Sequence, residues 1–93
     1  MFDVTNEEKN TVLDLYFDVT DGLVLRQFPK RQKRKYICLL WIIELFETTK
    51  PYSEQEVNAI LHAVYPDYVM IRRYLVDYKF LLRERDGSRY WRP

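Results

Sequence analysis

Apolar residues near the N-terminus recur three and four positions apart, which is the spacing of one face of an α-helix. This stripe consists of Val12, Leu13, Tyr16 and Phe17. Thr5 stands three residues before Glu8, a spacing typical of the capping box that begins a helix. We therefore predict a first helix that begins after Thr5 and ends near Asp18, before the turn-forming Asp21-Gly22 pair.

The longest apolar run, residues 36–43, predicts a buried central helix. A short extended piece over residues 23–28 precedes it. Pro29 disfavours helix at the residue before it and suits the first turn of the helix that follows. We expect this second helix to span Lys30 to Thr48. A membrane-spanning helix needs about eighteen or more consecutive apolar residues. The run 36–43 has only eight residues, so we expect no membrane partner.

The C-terminal half predicts two further helices. Ser53 and Glu56 have capping-box spacing and start the third helix. Asp67 follows a proline, which ends that helix, and is the expected N-cap of a fourth helix over residues 67–80.

Two extended segments at the C-terminus, residues 80–85 and 88–92, are separated by Asp86-Gly87. These two residues suit the positive φ angles of a type I′ turn, so we predict a β-hairpin. Its register pairs Leu82 with Trp91, Arg83 with Tyr90, and Glu84 with Arg89. Since paired large apolar residues mark the inward face of a hairpin, we expect Trp91 to lie in the core.

Helix, turn, helix and hairpin in this order are the layout of a winged helix-turn-helix. We predict an α+β, mainly helical fold: a winged helix-turn-helix with a C-terminal two-stranded hairpin and an extra N-terminal helix. With 93 residues, 47% of them hydrophobic, the chain is expected to form a single domain over residues 1–93. The one cysteine, Cys38, excludes an internal disulfide and favours a reduced, cytoplasmic setting.

Charge is sorted into blocks along the chain, although the formal net charge is only +1. Residues 22–35 carry six bases and no acid, and residues 72–93 carry seven bases and three acids. The segments before each of these blocks are acidic. The two basic blocks are therefore the candidate surfaces for a polyanion.

The basic side chains in these blocks form a candidate nucleic-acid-binding set. They are Arg72 and Arg73 on the fourth helix, Arg83, Arg85 and Arg89 on the hairpin, and Lys30, Arg31, Lys33 and Arg34 at the start of the second helix. We expect both arginines of the fourth helix to point outward, because they fall opposite its apolar face. Arginine offers a planar fork that matches phosphate oxygens and guanine.

Ion pairing within the molecule is the alternative role for the same side chains. Arg73 can pair with Asp77 one turn on, and Arg72 can reach an acid on the preceding helix. In the hairpin, Glu84 can neutralise Arg89 across the strands. The basic run 30–35 can pair with the acidic segment 1–21. The sequence leaves these alternatives open.

The chain lacks the motifs of common enzymes and metal sites. Its two glycines, Gly22 and Gly87, do not form a phosphate-binding loop, and no GxSxG motif is present. His62 is the only histidine, and the spacing of cysteine and histidine matches no metal-binding motif. We therefore predict no enzyme activity, no catalytic residue, no metal site and no cofactor.

Short motifs spread over residues 21–91 form a recognisable set. They are Asp21-Gly22, Phe28-Pro29-Lys30, Lys33, Tyr52-Ser53-Glu54, Glu56-Val57-Asn58, Ile71-Arg72-Arg73, Leu75-Val76-Asp77, Arg83, Gly87-Ser88 and Tyr90-Trp91. With this set the chain resembles a bacterial domain family of unknown function that occurs alone or attached to helix-turn-helix segments in proteins described as transcriptional regulators. The resemblance implies a winged-helix-like fold and a regulatory context, without a site assignment. The chain departs from the family pattern at Tyr78-Lys79-Phe80, which replaces a glycine-containing turn.

Together these observations predict a bacterial transcriptional regulator, or its DNA-binding module, whose partner is double-stranded DNA. The alternative is a protein-interaction module that uses the winged scaffold without binding nucleic acid. The sequence leaves open whether the chain forms a homodimer or binds another protein. If it is a dimer, we expect the contact on the first helix, at Tyr16 and Phe17.

Overall fold

The structure is a computed structural model that describes residues 2–93. Over these residues the chain forms four helices and two small antiparallel hairpins. In chain order they are α1 (Asn6–Tyr16), β1 (Phe17–Asp18), β2 (Val24–Leu25), α2 (Gln32–Ile43), α3 (Glu54–His62), α4 (Tyr68–Asp77), β3 (Leu82–Arg83) and β4 (Tyr90–Trp91). The α+β class is confirmed, and about half of the chain is helical. Helix α1 packs on α2, and α4 packs on both α2 and α3.

Three of the four predicted helix starts are confirmed, because each of these depends on residues within one turn. The Thr5 hydroxyl accepts the Glu8 backbone N–H, and the Glu8 carboxylate accepts the Thr5 N–H. Ser53 and Glu56 form the same reciprocal pair at the start of α3. The Asp67 carboxylate accepts the backbone N–H of residue 70 at 3.2 Å. These bonds satisfy N–H groups that have no partner inside a helix.

The capping box of α3 predicts a pH effect on stability. The Ser53 N–H donates to Glu56 and holds the pKa of this carboxyl below its ordinary value of 4.5. The stability that the carboxylate adds is therefore complete above pH 4.5 and is lost as the pH falls through its lower folded pKa. Glu56→Gln keeps an acceptor but does not titrate. Urea unfolding should show wild type losing its advantage over Glu56→Gln between about pH 5 and pH 3, and an advantage that is constant with pH would contradict this reasoning.

Helix α1 ends two residues earlier than predicted, because Phe17 adopts an extended conformation (φ −119°, ψ 150°). Phe17 pairs with Leu25 in a β1–β2 hairpin that the sequence pattern did not predict. Its side chain is 3% exposed and packs inside the core. Phe17 is therefore not available for the dimer contact that we expected there.

Helix α2 is shorter than predicted at both ends. Arg31 has an extended backbone and no side-chain cap bond, so Lys30 and Arg31 precede the helix. At the other end, the N–H groups of residues 45 and 46 bond to carbonyls only three residues back. This tight turn buries Phe46, which is 1% exposed. The chain then reaches the C-terminal hairpin, where the Thr49 N–H donates to the Arg92 carbonyl at 2.7 Å.

Helix α4 ends before the predicted residue 80 because Lys79 takes the left-handed conformation (φ 63°). The N–H groups of Phe80 and Leu81 both donate to the Leu75 carbonyl, at 2.9 and 3.1 Å. This is the kind of helix-ending turn in which glycine is usual. Lys79 makes the turn without a glycine.

Lys79→Gly is expected to stabilise the protein by about 1 kcal/mol, because a side chain strains backbone with positive φ and glycine does not. Chemical unfolding of the variant measures the change. Ala59→Gly, at an exposed position in the interior of α3, is the matched control, and we expect it to destabilise by about 1 kcal/mol. A loss of stability in Lys79→Gly would contradict the assigned turn.

The register of the second hairpin is confirmed, with Leu82 opposite Trp91 and Arg83 opposite Tyr90. The predicted type I′ turn is wrong. It requires positive φ at both central residues, whereas here Gly87 (φ 75°) has positive φ and Asp86 does not. The Gly87 N–H donates to the carbonyl of residue 84, and the N–H of residue 88 donates to the Asp86 carboxylate.

The hairpin packs on the core through Tyr90, which is 1% exposed, whereas Trp91 is half-buried. The prediction that Trp91 lies in the core is therefore wrong. Tyr90 also joins Tyr52, the residue just before the α3 cap, by two backbone hydrogen bonds of 2.8 Å each. This bridge holds the hairpin against the start of α3.

The buried side chains form one cluster to which all four helices and both hairpins contribute. Cys38 is a fully buried member of this cluster, and burial raises the pKa of its thiol to about 12. No helix among residues 2–93 is long and apolar enough to cross a membrane.

Candidate nucleic-acid interface

Arg72 points toward α3, and the prediction that it faces outward is wrong. Its guanidinium donates to the Asn58 side-chain oxygen, and its Nη2 lies 3.4 Å from Glu54 Oε1. The Arg72 side chain is only 17% exposed. The Tyr90 hydroxyl donates to the same Glu54 Oε1 at 3.1 Å. We call Asn58, Glu54, Arg72 and Tyr90 the α3–α4–hairpin network. The alternative that Arg72 pairs with an acid on the preceding helix is confirmed.

Arg73, the next residue on α4, is exposed as predicted. Among the described residues it forms no ion pair, so the alternative pair with Asp77 does not form. Successive helix residues point about 100° apart, because the helix has 3.6 residues per turn. The side chain at position 72 therefore meets α3, and the one at position 73 meets solvent.

The hairpin arginines differ in whether they form an ion pair. Arg83 donates to the Arg85 carbonyl at 3.2 Å, and both side chains are exposed. Neither forms an ion pair within residues 2–93. Arg89 pairs with Glu84 at 3.1 Å, which confirms the cross-strand alternative. At the hairpin tip, hydrogen bonds from Ser88 and, more weakly, the charge of Arg83 hold the pKa of Asp86 below its usual value.

Helix α1 contacts two of the five basic side chains in the run 30–35 at the start of α2. Lys33 pairs with Glu8 at 2.6 Å and, by this hydrogen bond, lowers the pKa of that carboxyl. Arg34 donates to the Tyr16 hydroxyl at 2.9 Å. Lys30 and Arg31 are exposed and form no ion pair in the described part of the chain. Pairing with the acidic N-terminal segment is therefore confirmed for Lys33 alone.

Most of the candidate residues line surface depressions of the described part of the chain. A cleft of about 240 Å³ is lined by Arg72, Arg73, Val76, Asp77, Arg83 and Tyr90. Arg85 and Arg89 line a separate depression at the hairpin tip. Arg31, Lys33 and Arg34 line one between α1 and α2. The first of these, which we call the α4–hairpin cleft, brings together two arginines from α4 and one from the hairpin.

The sequence of the chain matches a known protein family. A family model described as "Uncharacterized protein conserved in bacteria (DUF2087)" matches residues 24–92. The chain belongs to the DUF2087 family. No curated protein and no solved structure matches it. The DUF2087 match confirms the resemblance to an uncharacterised bacterial domain, and its description does not mention regulators.

The DUF2087 segment contains all nine candidate residues and the whole α3–α4–hairpin network. In contrast, Glu8 and Tyr16, which engage Lys33 and Arg34, lie outside it. The contacts that fix Arg72 therefore belong to the part of the chain that defines the family. The contacts to Lys33 and Arg34 come from α1, which precedes the DUF2087 segment.

Sequence reasoning missed Asn58, Glu54 and Tyr90 as site residues. Glu54 and Asn58 stand four residues apart, on one face of α3, and are followed by a basic pair in the next helix. That spacing was the available signal for a polar contact between the helices. No group of three or more His, Cys, Asp and Glu side chains in residues 2–93 is placed to hold a metal ion.

Proposed function

We propose that this chain is a winged helix-turn-helix module that binds double-stranded DNA in transcription regulation. The element order supports the winged scaffold: α2, the extended link at Tyr52, α3, α4 and the β3–β4 hairpin follow one another. The Tyr52–Tyr90 bridge adds a third extended segment beside the hairpin. In such a scaffold the second helix of the pair, here α4, enters the major groove, and the hairpin lies beside it.

The observation that carries the proposal is the α4–hairpin cleft. Arg73 comes from the helix and Arg83 from the hairpin, and neither forms an ion pair within the described residues. Two guanidinium groups without an ion pair beside one cleft suit the oxygens of a DNA backbone phosphate. Arg85, Lys30 and Arg31 are the further free cations of the proposed interface. In this proposal Arg72 does not contact DNA but holds α4 against α3.

Acids close to the interface limit the expected affinity. Asp77 lines the cleft itself, and Asp86 stands at the hairpin tip as a carboxylate whose pKa is lowered. The net charge of the whole chain is only +1. We therefore expect a random duplex to bind with a Kd on the order of 1 to 100 μM, in the range of nonspecific binding.

Fluorescence anisotropy with a labelled random duplex tests the proposal on the full chain. We expect binding at about 50 mM salt that weakens steeply toward about 200 mM, because each phosphate contact releases condensed counterions. The absence of binding at low salt would refute the proposal. So would an affinity that does not change with salt.

A protein-interaction module is the second candidate, and exposed apolar residues favour it. Leu15 and Val19 are each 56% exposed and Val24 is 40% exposed, all near the end of α1 and the first hairpin. These three side chains lie apart from the α4–hairpin cleft in the chain. If protein docking is the function, Leu15→Ser with Val19→Ser should abolish the partner contact, whereas DNA binding through α4 should be unchanged.

A further inference from the structure

We infer that Arg72 is a positioning residue that holds α4 and the β3–β4 hairpin in the relative orientation needed to bind one DNA phosphate. This inference rests on the proposed function for its effect on affinity. Its structural part, the coupling of α4 to the hairpin through Glu54, stands without DNA.

Glu54 is the point at which the two elements are joined. One oxygen, Oε1, accepts the Tyr90 hydroxyl at 3.1 Å and lies 3.4 Å from Arg72 Nη2. Asn58 takes a second N–H of the same guanidinium. Arg72 is therefore held by two side chains of α3, and Tyr90 is held by one of them.

Burial makes these contacts more effective than an ion pair on the surface. The Arg72 side chain is 17% exposed and Tyr90 is 1% exposed, whereas Glu54 is 47% exposed, so water and salt reach these contacts mainly from the Glu54 side. Hydrogen bonds from a charged donor are also shorter and stronger than those between neutral groups. The network therefore resists rotation of α4 about its own axis.

Arg73 and Arg83, the two arginines of the α4–hairpin cleft outside the network, depend directly on it. Arg73 follows Arg72, so the side of α4 that meets α3 determines where Arg73 points. Arg83 is opposite Tyr90 in the strand register, so the position of Tyr90 determines where Arg83 lies. A change at Arg72 or Tyr90 should alter the separation of Arg73 and Arg83 without removing either positive charge.

Salt dependence distinguishes a positioning residue from a phosphate contact. Loss of a phosphate contact reduces the slope of log K against log salt by about 1, whereas misplacement weakens binding through geometry. Arg72→Met keeps the length of the side chain and removes the charge. Tyr90→Phe keeps the buried ring and removes only the hydroxyl. Asn58→Ala removes an acceptor, and Asn58→Asp is the conservative variant that retains one.

Anisotropy titrations with a random duplex at several salt concentrations are the first measurement. We expect Arg72→Met, Tyr90→Phe and Asn58→Ala to weaken binding about threefold to tenfold with the wild-type slope, and Asn58→Asp to restore affinity. Arg73→Ala should reduce the slope by about 1, and Lys50→Met, outside the proposed interface, should change neither quantity. A slope reduced by about 1 in Arg72→Met would overturn the inference, because Arg72 would then contact phosphate.

Amide hydrogen exchange is the second measurement and needs no DNA. The backbone amides of Tyr52 and Tyr90 each donate to the carbonyl of the other residue. In Arg72→Met and in Tyr90→Phe these two amides should exchange about tenfold faster, whereas the amides of α1 should keep the wild-type rate. Unchanged rates at Tyr52 and Tyr90 in both variants would overturn the coupling. If wild type binds no DNA but the exchange rates change as expected, the proposed function fails and the coupling of α4 to the hairpin stands.

Discussion

The double variant Arg73→Ala/Arg83→Ala is expected to bind a random duplex about 100-fold more weakly than wild type near 0.1 M salt. Each lost phosphate contact removes about 0.9 from the slope of log K against log salt, which corresponds to roughly tenfold in affinity at this concentration. The combined slope should therefore fall by about 1.8. Anisotropy titrations over a salt series measure both quantities.

Arg73→Lys/Arg83→Lys is the matched control for that experiment. Lysine keeps both charges but loses the planar fork, so the salt slope should remain and the affinity should fall only moderately. If the alanine variant kept the wild-type slope, Arg73 and Arg83 would not contact phosphate. The α4–hairpin cleft would then not be the binding surface.

Leu75→Ala is expected to destabilise the protein by about 2 to 5 kcal/mol. Leu75 is fully buried in α4, and replacing a buried leucine by alanine loses transfer free energy and leaves a cavity. Against a total stability of about 5 to 15 kcal/mol, this is a large fraction of the free energy of unfolding. Thermal and urea unfolding followed by circular dichroism measure the loss.

Leu45→Ala provides the comparison for Leu75→Ala. Leu45 is 41% exposed, so its loss should cost less than about 1 kcal/mol. A Leu75→Ala variant no less stable than Leu45→Ala would contradict the position of α4 in the core. The pair also separates loss of the scaffold from loss of the proposed interface, since neither leucine is an interface residue.

Features that depend on a few neighbouring residues could be predicted from the sequence. Thr5 with Glu8, and Ser53 with Glu56, close their hydrogen bonds within one helical turn, so no tertiary information is needed. The pairing of Arg83 with Tyr90 likewise follows from the position of the turn. The outcome for these features agrees with the prediction.

Features that depend on packing between distant segments could not be predicted in the same way. Phe17 continues the apolar stripe of α1, yet it becomes a strand residue because Leu25 and the core provide a better place for its ring. The apolar stripe alone does not show whether Phe17 is a helix residue or a strand residue. Likewise, only the contact between α3 and α4 decides that Arg72 turns inward. A helical wheel of α4 places Arg72 and Arg73 about 100° apart and both off its apolar face, but it does not show which of them meets α3.

Two adjacent arginines therefore have different roles in this account. Arg72 supports the scaffold by joining α4 to α3 and, through Glu54, to the hairpin. Arg73 remains free and lines the α4–hairpin cleft with Arg83. The proposed interface therefore depends on Arg72, which lines the same cleft and is held by α3.

A titration of the ¹⁵N-labelled full chain with a random DNA duplex, followed by NMR chemical shifts, tests the central claim most directly. We expect the amide signals of α4 and of the β3–β4 hairpin to shift, with the largest changes around Arg73 and Arg83, and those of α1 to stay unchanged. Shifts confined to α1 and the first hairpin, or no shifts at millimolar duplex, would contradict it.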